Sequence, residues 1–189
     1  MDDIDFDNVP QLMAVGRLTR LIPSLAWFSR MGEPADRPTG ELAFRFVSDF
    51  GFPDAHVLWH VDPADAAEAL EIADTNSPAW EVMEQFRSAL TDEAVAGLGE
   101  DAVDVALTHI RAVASEVCTN ALGDAADKLG LHDQAFLQAL VGQAIQASHM
   151  SALLLLAEAD EDHPVSPFFH LFEAGRAPLA LIGQTFHIY

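Results

Sequence analysis

The stretch HVLWH, residues 56–60, holds the only two histidines of the chain that stand within four residues of each other. In a helix His56 and His60 would lie one turn apart on one face and could grip a single divalent ion. In a strand the same rings would be about 13 Å apart, too far for a common metal. The surroundings favour a strand: Val57, Trp59 and Val61 alternate with His56, Leu58 and His60, and Asp62-Pro63 opens a new helix directly afterwards. His56 and His60 are thus the metal candidates the sequence offers, while the balance lies with no cofactor rather than with a divalent metal.

A second set of polar residues lies on QAFLQALVGQAIQASHMSALLLLA, residues 134–157, which contains no Asp, Glu, Lys or Arg. A helix of that length reaches about 36 Å and could cross a bilayer. Its amides, hydroxyls and imidazole would be costly in hydrocarbon, and its flanks are acidic without a basic anchor. A central, largely buried helix of a soluble bundle explains the same residues. On it Gln138, Gly142, Gln146, His149 and Leu153 share a face, and buried polar groups need partners. Those partners are Thr108 and His109 on the preceding helix, ordered water, or a ligand; a core His with its amides satisfied internally is the plainer reading. Gln146, His149 and His109 are therefore candidate ligand-binding residues. Arg176, after Gly175, is a fourth, able to hold an anionic ligand or to pair with a carboxylate of the chain itself.

Other chemistry is thinly represented. Cys118 has no basic neighbour in sequence to activate it and reads as a buried thiol. The acidic residues around His163 lack the ordered spacing of a calcium loop. There is no Glu-x-x-His, His-Glu-x-x-His, P-loop, dinucleotide fingerprint or Gly-x-Ser-x-Gly elbow.

The elements that must position these residues are mostly helices. Asp7 or Asn8 with Pro10 opens one that runs to about Met31, with a break at Pro23. GEPADRPTG, residues 32–40, reads as a loop, and ELAFRFVSDFG as a helix closed by Gly51. Asp62-Pro63 starts an acidic-faced helix to about Thr75, and Ser77-Pro78 starts another, followed by a short helix from Thr91 or Asp92 to the Gly97/Gly99 pair. A long Ala-rich helix from Asp101 to near Gly130 precedes the uncharged one, and a short helix through Phe168 to Phe172 ends at Gly175. The terminal PLALIGQTFHIY changes period from 3.6 to 2. Gly183-Gln184 suits a two-residue type II′ turn, pairing Leu181 with Phe186 and Leu179 with Ile188 on one face. An isolated hairpin is marginal, so this one must pack on helices, on a second subunit, or against residues 56–61 in a small antiparallel sheet.

The 189 residues fit a single domain, 1–189, able to bury a core without staples. Thirty acidic residues against nine basic give a net charge of −21, which opposes direct binding to nucleic acid or anionic lipid. The single cysteine and an acidic start suit a cytoplasmic protein. The expected fold is mainly α: a multi-helix bundle around a buried central helix at about 133–160, with a C-terminal β-hairpin at about 178–189. The functional expectation leans away from catalysis, to an interaction or regulatory module that binds a protein partner or itself as a homodimer. The alternative is a metal- or small-molecule-binding helical protein, a hydrolase among its forms, with a His-lined pocket.

Overall fold

A computed structural model describes residues 8–73 and 77–189. The first helix, α1 (Pro10–Leu21), begins after Val9 without a side-chain cap and passes into a 3-10 turn at Ile22–Ser24, where Pro23 ends the α pattern as its missing N–H requires. The alternative cap Asp7 lies outside the described residues. Helix α2 (Arg37–Asp49) starts inside the segment expected to be loop, because Asp36 accepts from the Thr39 N–H at 2.9 Å and Pro38 falls in the first turn. Strand β1 is His56–Trp59, and α3 is Pro63–Glu71, capped by Asp62 as its sequence foretold. The expected end of α3 near Thr75 also lies outside the described residues.

Helix α4 (Pro78–Leu98) runs unbroken through Thr91 and Asp92. The Thr91 hydroxyl donates to the Arg87 carbonyl at 2.7 Å, one turn back, so the residue that looked like a new cap stays inside the helix. Helices α5 (Glu100–Leu129) and α6 (Gln134–Leu156) form an antiparallel pair. Gly130, at φ +67°, closes α5, and the Leu131 N–H reaches back to the Ala126 carbonyl at 3.0 Å. Helix α7 (Ser166–Glu173) leads into β2 (Pro178–Ile182) and β3 (Thr185–Ile188).

Helix α6 is the centre of the fold, packed upon by α1, α4, α5, α7 and β2. Leu140, Ala144, Ala147, Met150 and Leu153 on it are fully buried. Among the described residues it is the one helix long and apolar enough to cross a membrane by length and composition, at a mean hydropathy of 1.4. In the structure 44 % of that apolar stretch is buried against the other elements.

The C-terminal hairpin forms with Gly183 at φ +60° in its turn and Leu181 opposite Phe186. Two expectations change. Leu179 does not oppose Ile188; it is the extra residue of a β-bulge, with Pro178 against Ile188 and Ala180 against His187. Pro178 has no N–H to give the ladder, and pairing resumes beyond it, where Ala177 and Tyr189 exchange both backbone bonds at 2.7 and 2.9 Å. Residues 56–59 do join the sheet, but β1 runs parallel to β3, with His56 opposite Thr185 and Trp59 opposite Ile188. The strand order is β1-β3-β2, so β3 is central. A parallel pair needs a long crossover, and here most of the chain, α3 to α7, supplies it. The hairpin therefore gains its third strand from the same chain.

Candidate ligand-binding site

The strand conformation of residues 56–59 keeps His56 and His60 from a shared metal, and His60 has a different partner. Its Nε2 lies 2.9 Å from Nδ1 of His187 on β3, with the rings nearly parallel at 19° and their centroids 5.1 Å apart. One ring donates its N–H to the lone pair of the other, so the two facing nitrogens are engaged with each other rather than converging on a third point. Among the described residues no group of three or more His, Cys, Asp or Glu side chains is arranged to hold a metal ion.

The line of polar residues on α6 is not buried as a unit. Gln138 and Gly142 are exposed, Gln146 and His149 are half-buried, and Leu153 is fully buried. Steps of four, four, three and four residues drift by about 60° around a helix of 100° per residue, so the line winds from solvent into the core. His109 does not meet it. His109 is exposed on the α1 side of α5, in a separate hollow that it shares with Arg17 and Arg20. Ser148, on the same helix, is satisfied by the Ala144 carbonyl at 2.9 Å. Cys118 is buried, and burial pushes its thiol up to about 12, so it stays protonated and poorly nucleophilic.

Among the described residues no carboxylate pairs with Arg176, and its side chain faces no solvent. It is fully buried, donating from Nη1 to the carbonyls of Arg30 and Glu33 and from Nη2 to that of Pro34 at 2.7 Å. The Trp59 ring lies 5.6 Å from its guanidinium carbon. Gly175, at φ +79°, lets the chain approach closely: a Cβ there would sit 2.6 Å from Ser29 Oγ and 3.1 Å from the Arg30 nitrogen. Arg176 is thus a clamp that fixes residues 30–34 against the sheet: its two Nη atoms are committed to carbonyls, while its buried Nε has no hydrogen-bond partner among the described residues.

The arrangement best suited to a ligand is a cavity of about 300 Å³ between α2, α4, α6 and β2. Its walls are aromatic and aliphatic: Phe46 and Phe50 from α2 and its C-cap, Trp80 and Met83 from α4, Phe168 from α7 and Phe186 from β3. Phe46 anchors this wall, with ring centroids 5.7 Å from Phe168 and 5.3 Å from Phe186. Two polar residues of α6 enter it, Gln143 and Gln146, one turn apart. Gln143 donates to the Leu179 carbonyl at 2.8 Å, at the bulge, which fixes its amide and leaves its oxygen free to accept. Among the described residues nothing hydrogen-bonds the half-buried Gln146 amide. An apolar enclosure with a few oriented polar groups is the usual build of a small-molecule site.

Of the residues that sequence singled out, the cavity takes Gln146, and His149 lies one turn beyond it. The aromatic wall was missed because it is gathered from elements far apart in the chain. The only available signal was the clustering of Phe between positions 168 and 172, which read simply as core. No protein-family model, curated protein or solved structure matches this chain.

Four histidines share one electrostatic property. Burial lowers the pKa of His60, His149, His163 and His187 below 6.5, with neighbouring cations adding to the effect on His149. The unfolded chain therefore binds protons more readily than the folded one in the interval below about 6.5. Their contribution to stability is complete above that pH and is lost as the pH falls through the depressed values. The urea midpoint is accordingly expected to drop between pH 7.5 and pH 5.5, before the carboxylates titrate. Replacing His60 and His187 with Gln should shrink that drop; an unchanged slope would show that these two rings do not contribute.

Proposed function

We propose that this protein is a non-catalytic binding module for a small, largely apolar molecule, taken up in the cavity between α2, α4, α6 and β2. The observation that carries the reading is the conjunction of an aromatic-walled cavity of about 300 Å³ with the half-buried Gln146 amide on its wall, to which no protein group is hydrogen-bonded among the described residues. The aromatic faces supply most of the binding free energy by excluding water, and the two amides fix orientation. The one hydroxyl side chain among the cavity's lining residues, Ser77, is engaged as the cap of α4, accepting from the Trp80 N–H, and Ser148 and Cys118 on the helices behind are occupied or protonated, which supports binding over turnover.

The neutral fluorophore N-phenyl-1-naphthylamine tests this reading. Its emission should rise saturably on addition of the protein, and aliphatic alcohols should displace it competitively. Linear, non-displaceable emission would refute the cavity as a site.

A second reading, self-association, is favoured by one surface. Leu58, Val61 and Ile72 are exposed, at 45, 65 and 61 %, near the free edge of β1. The original reason for expecting a partner, an unsupported hairpin, is met inside the chain by β1 and the helices. Light scattering across a wide concentration range tests it, and a constant monomer mass would dismiss it.

A further inference from the structure

Most arginines of the chain have partners. Arg30, Arg37, Arg45 and Arg87 pair with carboxylates close by in sequence, and Arg176 is buried against backbone carbonyls. Among the described residues no carboxylate pairs with Arg17, Arg20 or Arg111, although the chain carries thirty acidic residues against nine basic ones. Arg17 and Arg20 line one hollow together. It lies between α1 and α5, encloses about 630 Å³, and is faced from α5 by His109. It shares no residue with the apolar cavity.

The sequence keeps acid away from this place. Helix α1 contains no Asp or Glu, and one turn to either side of His109 on α5 stand Val105, Ala106, Ala112 and Val113. Among the described residues no carboxylate lines the hollow. Arg17 and Arg20 are three residues apart, about 5–6 Å between their Cβ atoms, so both guanidiniums reach one group placed between them. The base of the hollow is apolar, formed by the buried Leu12, Val15 and Ala106. Gly16 opens it: a Cβ there would meet nothing within 4 Å, so the missing side chain leaves space in the hollow rather than serving a packed contact.

We propose that this hollow binds a small organic phosphate monoester, its phosphate held by Arg17, Arg20 and His109 and its organic body lying over Gly16 and the apolar base. A phosphate brings about two negative charges and three acceptor oxygens, which engage two guanidiniums and an imidazole N–H together; a carboxylate is satisfied by a single guanidinium fork. Two guanidiniums also suit one such group and not a nucleic acid, whose row of phosphates a net charge of −21 repels. That net charge does not forbid a single phosphate here, since exposed charges more than about 10 Å away are largely screened at 0.1 M salt.

Titration calorimetry on the full chain at pH 7.5 tests this with phenyl phosphate, inorganic phosphate, benzoate and phenol. Phenyl phosphate is expected to bind saturably, at least about tenfold tighter than any of the other three. Arg17→Gln and Arg20→Gln should each weaken it by about tenfold or more, and Gly16→Leu, which fills the hollow, should abolish it. Arg17 and Arg20 are exposed and leucine is a better helix former than glycine, so circular dichroism should show all three variants folded. Arg111→Gln removes the same charge from an exposed arginine outside the hollow and should leave the affinity unchanged. An equal loss in Arg111→Gln, binding that survives Gly16→Leu, or no saturable binding of phenyl phosphate overturns the site. Benzoate or phenol binding as tightly as phenyl phosphate overturns the phosphate head, and inorganic phosphate doing so overturns the organic body.

Discussion

Replacing Arg176 with Met is expected to lower the folding free energy by about 3–4 kcal/mol, and urea unfolding measures it. Met preserves length and apolar bulk, so the loss isolates the guanidinium. Three donated bonds disappear, and the carbonyls of Arg30, Glu33 and Pro34 lose the partner that draws them onto the sheet. Each such bond to a charged donor contributes about 1–1.5 kcal/mol after its cost in desolvation. Burial lowers the pKa of Arg176, the sign that lost solvation penalises its charge, and the three carbonyl bonds offset part of that penalty. In a protein of this size the melting temperature should fall by roughly 10 °C. Arg176→Lys should recover only part of the loss, because one ammonium cannot reproduce a planar fork that reaches three acceptors. A change below about 1 kcal/mol would mean that residues 30–34 are held by other contacts.

Replacing Ala139 with Phe is expected to weaken binding of apolar molecules by about a hundredfold while leaving the protein folded. Ala139 projects from α6 into the cavity beside Gln143. A phenyl ring there fills space otherwise open to the ligand, displacing the equivalent of three or four buried methylenes at about 0.8 kcal/mol each. Filling a pre-existing void adds contacts without unsatisfied polar groups, so stability should hold or rise slightly. The measurement is a paired one, fluorophore titration and urea unfolding on the same variant. Undiminished binding with intact stability would place the site elsewhere on the molecule.

What the sequence discloses is what neighbours in the chain decide. Asp62-Pro63 and Ser77-Pro78 mark helix starts because a side-chain oxygen and a ring without N–H act within one turn. Gly183-Gln184 fixes the hairpin, and the pairing of Leu181 with Phe186 follows from it. The opaque features depend on residues distant in sequence. The His60–His187 bond spans 127 residues and the parallel partnership of β1 and β3 joins the same two distant segments, with no periodicity to announce either. Arg176 looked available for an anion because nothing local shows that the carbonyls of 30–34 converge upon it. Gln146 was visible as a polar residue on an apolar helix, but its aromatic surroundings are contributed by four other elements.

The most direct measurement of the central claim follows the Met83 methyl resonance during titration with decanol. Met83 lines the cavity, whereas Met150 is fully buried on α6 and is not among the cavity's lining residues, so the second methyl is an internal control. A saturable shift of Met83 with Met150 nearly still is the expected result. No shift at Met83 up to the solubility of the ligand, or equal movement of both methyls, would contradict binding in this cavity.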